Sequence, residues 1–232
     1  MSIAHVQTNG SARTGSSSSA YSVTYSSATT SGDLLTVCIS GYGPATFTIT
    51  DTYSNTWVLA KRVVNGSLSS EIWYAQNCTG GSSHQVTVTP SAAAYITVAL
   101  SEFSGVAASG ALDQTGSGTG TSTSPSSGNV TTAIAGELYI GHMMPLSNPT
   151  ITDESGWNNR FTVAGSASSN GFSEETQGDT STIAAGTYAA TYTLSSSQSW
   201  GAVIATFLPA STAVRPKPPQ VINPPLPQQA AA

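Results

Sequence analysis

The stretch SGDLLTVCIS (31–40) returns as AGELYIGHMM (135–144), and the reading of the whole chain starts from that pair. Other blocks return in the same order on either side of it. TITD (48–51) recurs at 150–153, and SSEIWYAQ (69–76) recurs more loosely as FSEETQ (172–177). QVTVTPSAAAYITVALSEF (85–103) recurs as AATYTLSSSQSWGAVIATF (189–207), and VQTNGS (6–11) as DQTGSG (113–118). The offset stays between 102 and 107 residues. Self-similarity at a nearly constant period marks an internally duplicated architecture. The expected organisation is one repeat over 1–105, a second over 106–210 and a separate tail over 211–232.

Within a repeat the pattern has period two, which places alternate side chains on opposite faces of a strand. The first repeat predicts strands at 3–8, 20–26, 33–40, 45–50, 56–63, 70–76, 84–89 and 95–103. Between them lie GYGP (41–44), DTYSN (51–55), VNGS (64–67) and NCTGGSS (77–83). These are rich in residues that accept a positive φ or close a turn through a side-chain hydrogen bond. No segment carries a 3.6-residue apolar stripe. Eight short strands in about 105 residues predict an all-β fold of tandem antiparallel sandwiches, jelly-roll-like or immunoglobulin-like.

The strand faces carry a further expectation. Leu35, Val37 and Ile39 share one face, and Leu34, Thr36 and Cys38 share the other. Their counterparts are Tyr139, Gly141 and Met143 against Leu138, Ile140 and His142. Ile96, Val98 and Leu100 likewise oppose Tyr95, Thr97 and Ala99. Strands apolar on both faces belong at the centre of a sheet covered on both sides. Packing the two repeats together as a pseudo-dimer supplies one of those covers.

Only 7% of the 232 residues are charged, a composition suited to short strands and turns. Residues 1–210 hold Arg13, Lys61, Arg62 and Arg160 against all eleven acids, a charge near −7. That balance disfavours a nucleic-acid partner, because affinity there comes from neutralising phosphates. No apolar run approaches the roughly 18–20 residues of a membrane span, so no membrane insertion is expected. The opening MSIAHVQTNGS lacks the basic and apolar regions of an export signal. Cys38 and Cys78 are within the reach of one disulfide, or stand as two free thiols with Cys38 half-buried in its strand.

SGDLLTV, TDTYSNTW, SSEIWYAQN, VTVT, EFSGV, LDQTGSGTGTSTSPSSG, GELYIG and WGAVIATF together resemble a widespread set of bacterial and bacteriophage β-sandwich proteins. The likeness runs over residues 20–210. It implies a module of a secreted or surface protein, or a structural protein of a phage particle. It identifies a scaffold and transfers no catalytic residue. Phage structural proteins leave the cell by lysis and need no leader, which favours a virion component. The expected role is a non-enzymatic decoration or fibre protein on the head or tail of a virion, as a homo-oligomer or lattice. A secreted carbohydrate-binding or adhesion module is the alternative, and a glycoside hydrolase the third.

A sandwich hydrolase needs two carboxylates roughly 5–10 Å apart in a cleft. The available acids are Glu71, Glu102, Glu174, Glu175, Asp51 and Asp153, and no E-x-D-x-x-E strand presents them. Asp51 and Asp153 sit where an Asx-turn accounts for an aspartate. His5, His84 and His142 lack a nucleophile elbow or a metal motif around them, and Asp51 alone is a thin calcium site. No catalytic residue, metal or cofactor is expected. Glycan binding requires an exposed aromatic face beside polar side chains. Tyr42, Tyr53 and Trp157 lie in predicted turns, and Trp157 with Asn158 is the most suggestive set, though capping the core is the plainer role for each. Host surface glycans are the corresponding partners.

After Phe207 the chain changes to LPASTAVRPKPPQVINPPLPQQAAA. Prolines at this density exclude a helix or a central strand and favour an extended polyproline II path. The tail reads either as a linker or as a strap docked on other structural proteins of the same particle. In the strap reading Pro216, Pro218, Pro219, Pro224 and Pro225 lower the ordering cost, Val221, Ile222 and Leu226 fill pockets, and Arg215 and Lys217 meet acidic groups.

Overall fold

The computed structural model describes residues 2–13, 15–147, 149–163, 172–180 and 182–211. It is all-β, with every strand pairing antiparallel and no helix among the described residues. All eight strands expected before residue 105 are present: β1 (Ala4–Ala12), β2 (Tyr21–Thr24), β3 (Leu34–Tyr42), β4 (Phe47–Asp51), β5 (Val58–Asn65), β6 (Leu68–Ala75), β7 (Gln85–Pro90) and β8 (Tyr95–Ser104). The turns between them hold the left-handed residues that their composition implied, including Gly43, Ser54, Gly66, Asn77 and Ser83. At Gly66, between β5 and β6, a φ of 62° closes the hairpin.

The following strands are β9 (Leu112–Ser122), β10 (Val130–Thr131), β11 (Leu138–Pro145), β12 (Ile151–Asp153), β13 (Asn158–Val163), β14 (Phe172–Gln177), β15 (Thr187–Tyr188), β16 (Tyr192–Leu194) and β17 (Gln198–Phe207). Two five-stranded sheets dominate. One runs β1-β8-β3-β6-β5, and the other runs β9-β17-β11-β14-β13. The outer face of the first is covered by the sheet β2-β7-β4, around Leu35, Val37, Ile39, Val86, Val88, Val98 and Leu100. The outer face of the second is covered by the pairs β12-β16 and β10-β15, around Tyr139, Met143, Tyr192, Trp200 and Ile204.

The inner faces of the two large sheets close on one another. Leu34, Cys38, Ile72, Ala99 and Phe103 from the first pack with Leu138, Ile140, Phe172, Val203 and Phe207 from the second. The two-faced strands read from the sequence therefore have both covers. Each fully buried Phe or Leu in this layer contributes about 1.5–3 kcal/mol relative to exposure. Polar bonds pin the register across it: Ser70 Oγ donates to Gly201 O (2.8 Å), and Asn65 Nδ2 donates to Trp200 O (3.0 Å). Gly10 and Gly201 let the sheets approach, since a Cβ on Gly10 would strike the Phe161 ring and one on Gly201 would stand 3.2 Å from Val63.

Two sequence expectations are corrected. Cys38 and Cys78 are free thiols, one of the two readings the sequence offered, but Cys38 is fully buried rather than half-buried because its side chain faces the layer between the large sheets. The match of SSEIWYAQ to FSEETQ is one residue out of register. Val37 pairs with Trp73 while its counterpart Gly141 pairs with Glu175, so Glu175 stands where Trp73 does and Glu174 where Ile72 does. A slip of one residue moves a side chain to the other face. Glu71 thus points toward the outer layer with Trp73, and Glu174 points between the sheets.

A layer shared by both large sheets predicts cooperative unfolding. Replacing Trp57 and Trp73, or Trp157 and Trp200, by Phe leaves tryptophan fluorescence reporting one half at a time, and the two urea transitions should coincide. Phe207→Ala should lower both midpoints together, for a stability loss of about 3–5 kcal/mol.

Candidate functional site

The acids come first, since they are the groups that could do chemistry. Asp51 Oδ1 accepts from the backbone N of Tyr53 (2.9 Å) and of Asn55 (3.1 Å), and Oδ2 accepts from Trp57 Nε1 (2.8 Å). These bonds hold its carboxyl below the usual aspartate range despite the opposing effect of burial. It is the Asx-turn that the sequence suggested. Glu71 accepts from Trp73 Nε1 (2.7 Å) and lies 3.1 Å from Arg62 Nε. Glu102 accepts from Gln7 Nε2 (2.5 Å) and from Thr30 N (2.7 Å). Neighbouring Asp33 is pushed up to about 6 by burial and by the Glu102 charge.

Between the large sheets lies a small polar island. Ser101 Oγ donates to Glu174 Oε1 (2.7 Å), while Glu174 Oε2 has no hydrogen-bond partner. Burial pushes the Glu174 carboxyl up to about 7, and a neutral acid suits a site that supplies so few donors. The Cys38 thiol beside it is pushed well up, first by burial and then by the Glu174 charge. His142, across the strand pair from Glu174, has Nδ1 3.1 Å from Ser173 O and Nε2 3.1 Å from Ile39 O. Both carbonyls favour the charged ring, yet burial dominates and takes it down to about 4. The imidazole is therefore neutral at pH 7, with one N–H to donate, and donation from Nε2 to Ile39 O links the two sheets.

On the outer face of β14, Glu175 is buried beside Asp153 and Glu154, and burial followed by the Asp153 charge pushes it up to about 9. Gly141 lies beneath it, and a Cβ there would crowd the Tyr192 hydroxyl at 2.9 Å. Asp153 is occupied by Ser173 Oγ (2.6 Å) and by Asn159. Arg160 forms an ion pair with Asp179 (2.5 Å), braced by Thr176. His84 stands between Thr29 Oγ1 (2.7 Å from Nδ1) and Asp51 Oδ2 (3.4 Å from Nε2). This resembles a hydroxyl–imidazole–carboxylate relay, but the ring is fully buried, edge-on to Tyr53, and pins the turn to the sheet. His5 Nε2 is 2.7 Å from Thr8 Oγ1. Among the described residues, no three His, Cys, Asp or Glu side chains gather as a metal site, and no helix is long and apolar enough to cross a membrane.

The candidate glycan platforms stand apart, each on its own partner. Tyr42 at the end of β3 is 36% exposed and leans on Tyr95 at 6.2 Å. Tyr53 is half-buried and donates to Ser82 O (2.7 Å). Trp157 is half-buried, edge-on to Tyr139, and Asn158 Nδ2 donates to Asp179 Oδ1 and Thr180 Oγ1, each at 3.2 Å. The strap residues Arg215, Pro216, Lys217, Pro218, Pro219, Val221, Ile222, Pro224, Pro225 and Leu226 lie outside the described residues.

One feature was invisible in the sequence. A cleft of about 610 Å³ opens where the start of the chain, the linker between β8 and β9, the turn before β11 and the end of β17 converge. Its walls include Ile3, Ala107, Ile134, Leu208 and Pro209, with no charged side chain among the described residues. Backbone bonds tie the exit to the linker: Ala107 N donates to Leu208 O (3.0 Å) and Ala210 N to Gly105 O (2.7 Å). Gly136 and Gly178 shape the floor, Gly178 at φ 90° against the Glu137 carbonyl, where no side chain fits.

No protein-family model, no curated protein and no solved structure matches this chain.

The buried acids determine how stability responds to pH. The fold keeps protons on Glu174 and Glu175 up to about 7 and about 9, whereas an unfolded glutamate releases them near 4.5. Their contribution is complete below that lower value and is lost as pH rises through the folded ones. His142 acts oppositely: it stays neutral down to about 4 while an unfolded ring protonates near 6.5, so its contribution is lost as pH falls between those values. From about pH 6.5 to about pH 9 only the carboxyls act, and the urea midpoint should fall across that window. Glu174→Gln should raise the midpoint at the alkaline end and flatten the slope; a midpoint that rises with pH would contradict the assignment.

Proposed function

We propose that this chain is a non-enzymatic structural protein of an extracellular surface, a decoration or fibre component of a bacteriophage particle, attached through its C-terminal tail. The observation that carries the reading is the use to which the acids are put. Glu71, Glu102, Glu174 and Asp51, which a hydrolase of this architecture would need free in a cleft, are each bonded within the fold, and Glu174 is sealed between the sheets. The phage setting draws on the sequence resemblance, and attachment by the tail draws on its abrupt change of composition.

The same proposal includes duplication, with repeats over 1–105 and 106–210 packed as a pseudo-dimer and a tail over 211–232. Three observations support it. The large sheets have the same strand order, with β1, β8, β3, β6 and β5 matching β9, β17, β11, β14 and β13. Equivalent strands break register at equivalent points, between Leu59 and Lys61 in β5 and between Asn159 and Phe161 in β13. Bulges at matched positions are inherited features of a fold. The edges also meet reciprocally, β5 on β9 and β1 on β13, as a two-fold relation requires.

Glycan adhesion is the second reading, and the exposure of Tyr42 favours it. Incorporation of a chain lacking 212–232 into the parent particle separates the readings. The structural reading expects stoichiometric incorporation of the full chain and loss on deletion. Undiminished incorporation would sink attachment by the tail, and glycan binding abolished by Tyr42→Ala or Trp157→Ala would move the assignment to adhesion.

A further inference from the structure

We propose that the apolar cleft at the chain's exit receives the proline-rich segment 218–226 of a second copy, so that copies join head to tail. The inference deepens the structural reading above and rests on it. At about 610 Å³ the cleft falls within the range of roughly 300–1,000 Å³ that seats compact ligands. Its lining is uncharged among the described residues, and Ile134 stands at it 50% exposed. PPQVINPPL (218–226) is uncharged as well and sets Val221, Ile222 and Leu226 among four prolines. An apolar strand of restricted backbone loses little entropy on docking in such a groove.

The position of the cleft points to another copy as the donor. The wall formed by Leu208 to Ser211 is the root of the tail, held to the linker by the Ala210–Gly105 bond. Only TAVRPK (212–217) separates that root from the segment. Pro216 and Pro218 disfavour the helical region at the preceding Arg215 and Lys217, so this spacer sequence offers few positions for the reversal that would return the segment beside its own origin. A six-residue spacer spans about 19 Å in a polyproline II path, enough to reach an adjoining copy. A tail segment and a cleft are different surfaces, so the contact is heterologous and propagates into a ring or a filament.

Light scattering on the full chain over a concentration series tests this. The mass should climb with concentration, and Ile134→Asp, a change at a half-exposed position, should hold it at one copy, as should deletion of 218–232. Mixing the two variants is decisive. The first retains a tail and the second retains a cleft, so together they should form a one-to-one pair and nothing larger. A full chain that remains single up to about 100 µM, or a mixture that forms no pair, overturns the inference, including the case in which the tail folds into its own cleft. If particle incorporation still requires 212–232 while the chain never self-associates, the docking inference fails and the structural reading stands.

Discussion

The constraint on which the rest of this structure depends is the double burial of four strands. β3, β8, β11 and β17 are apolar or buried on both faces along nearly their whole length. A single sandwich covers one face of each sheet and leaves the other in water. The two large sheets resolve this by covering each other, with Phe103 and Phe207 in one layer. Each large sheet is thereby the lid of the other.

The same constraint explains the chemistry of the buried polar groups. A layer that must exclude water has little capacity for charge, so His142 is held neutral and Glu174 is pushed toward its protonated form. Each is tied to the opposite sheet, His142 to Ile39 O and Glu174 to Ser101 Oγ. They fix how the sheets face one another, a use of buried polarity suited to selecting one register among several apolar alternatives. The acid and the imidazole of this layer are both fully buried. The accessible features lie at the rim: an aromatic pair at Tyr42 and Tyr95, and the uncharged cleft at the chain's exit.

Much of this was legible in the chain. Period-two alternation placed every strand of the first half, and the faces of Leu34 and Leu35 fell on the inner and outer layers as their positions implied. The failures have physical causes. Glu71 and Glu174 look equivalent because both follow Ser, but hydrogen-bond register, which residue identity does not report, sets them on opposite faces. The half-burial expected of Cys38 failed because the direction of a strand side chain decides where a thiol points, and Cys38 points into the shared layer. The cleft was invisible because Ile3, Ala107, Ile134 and Leu208 are brought together only by the closing of both sheets.

The measurement that tests the shared core most directly is the solution behaviour of residues 1–105 expressed alone. Without its partner sheet, this half exposes Leu34, Cys38, Ile72, Ala99 and Phe103 as one apolar face. The account predicts that it pairs with a second copy of itself through that face or fails to fold, and that Phe103→Asp abolishes the pair. A folded monomer with a denaturation midpoint equal to that of the full chain would contradict it.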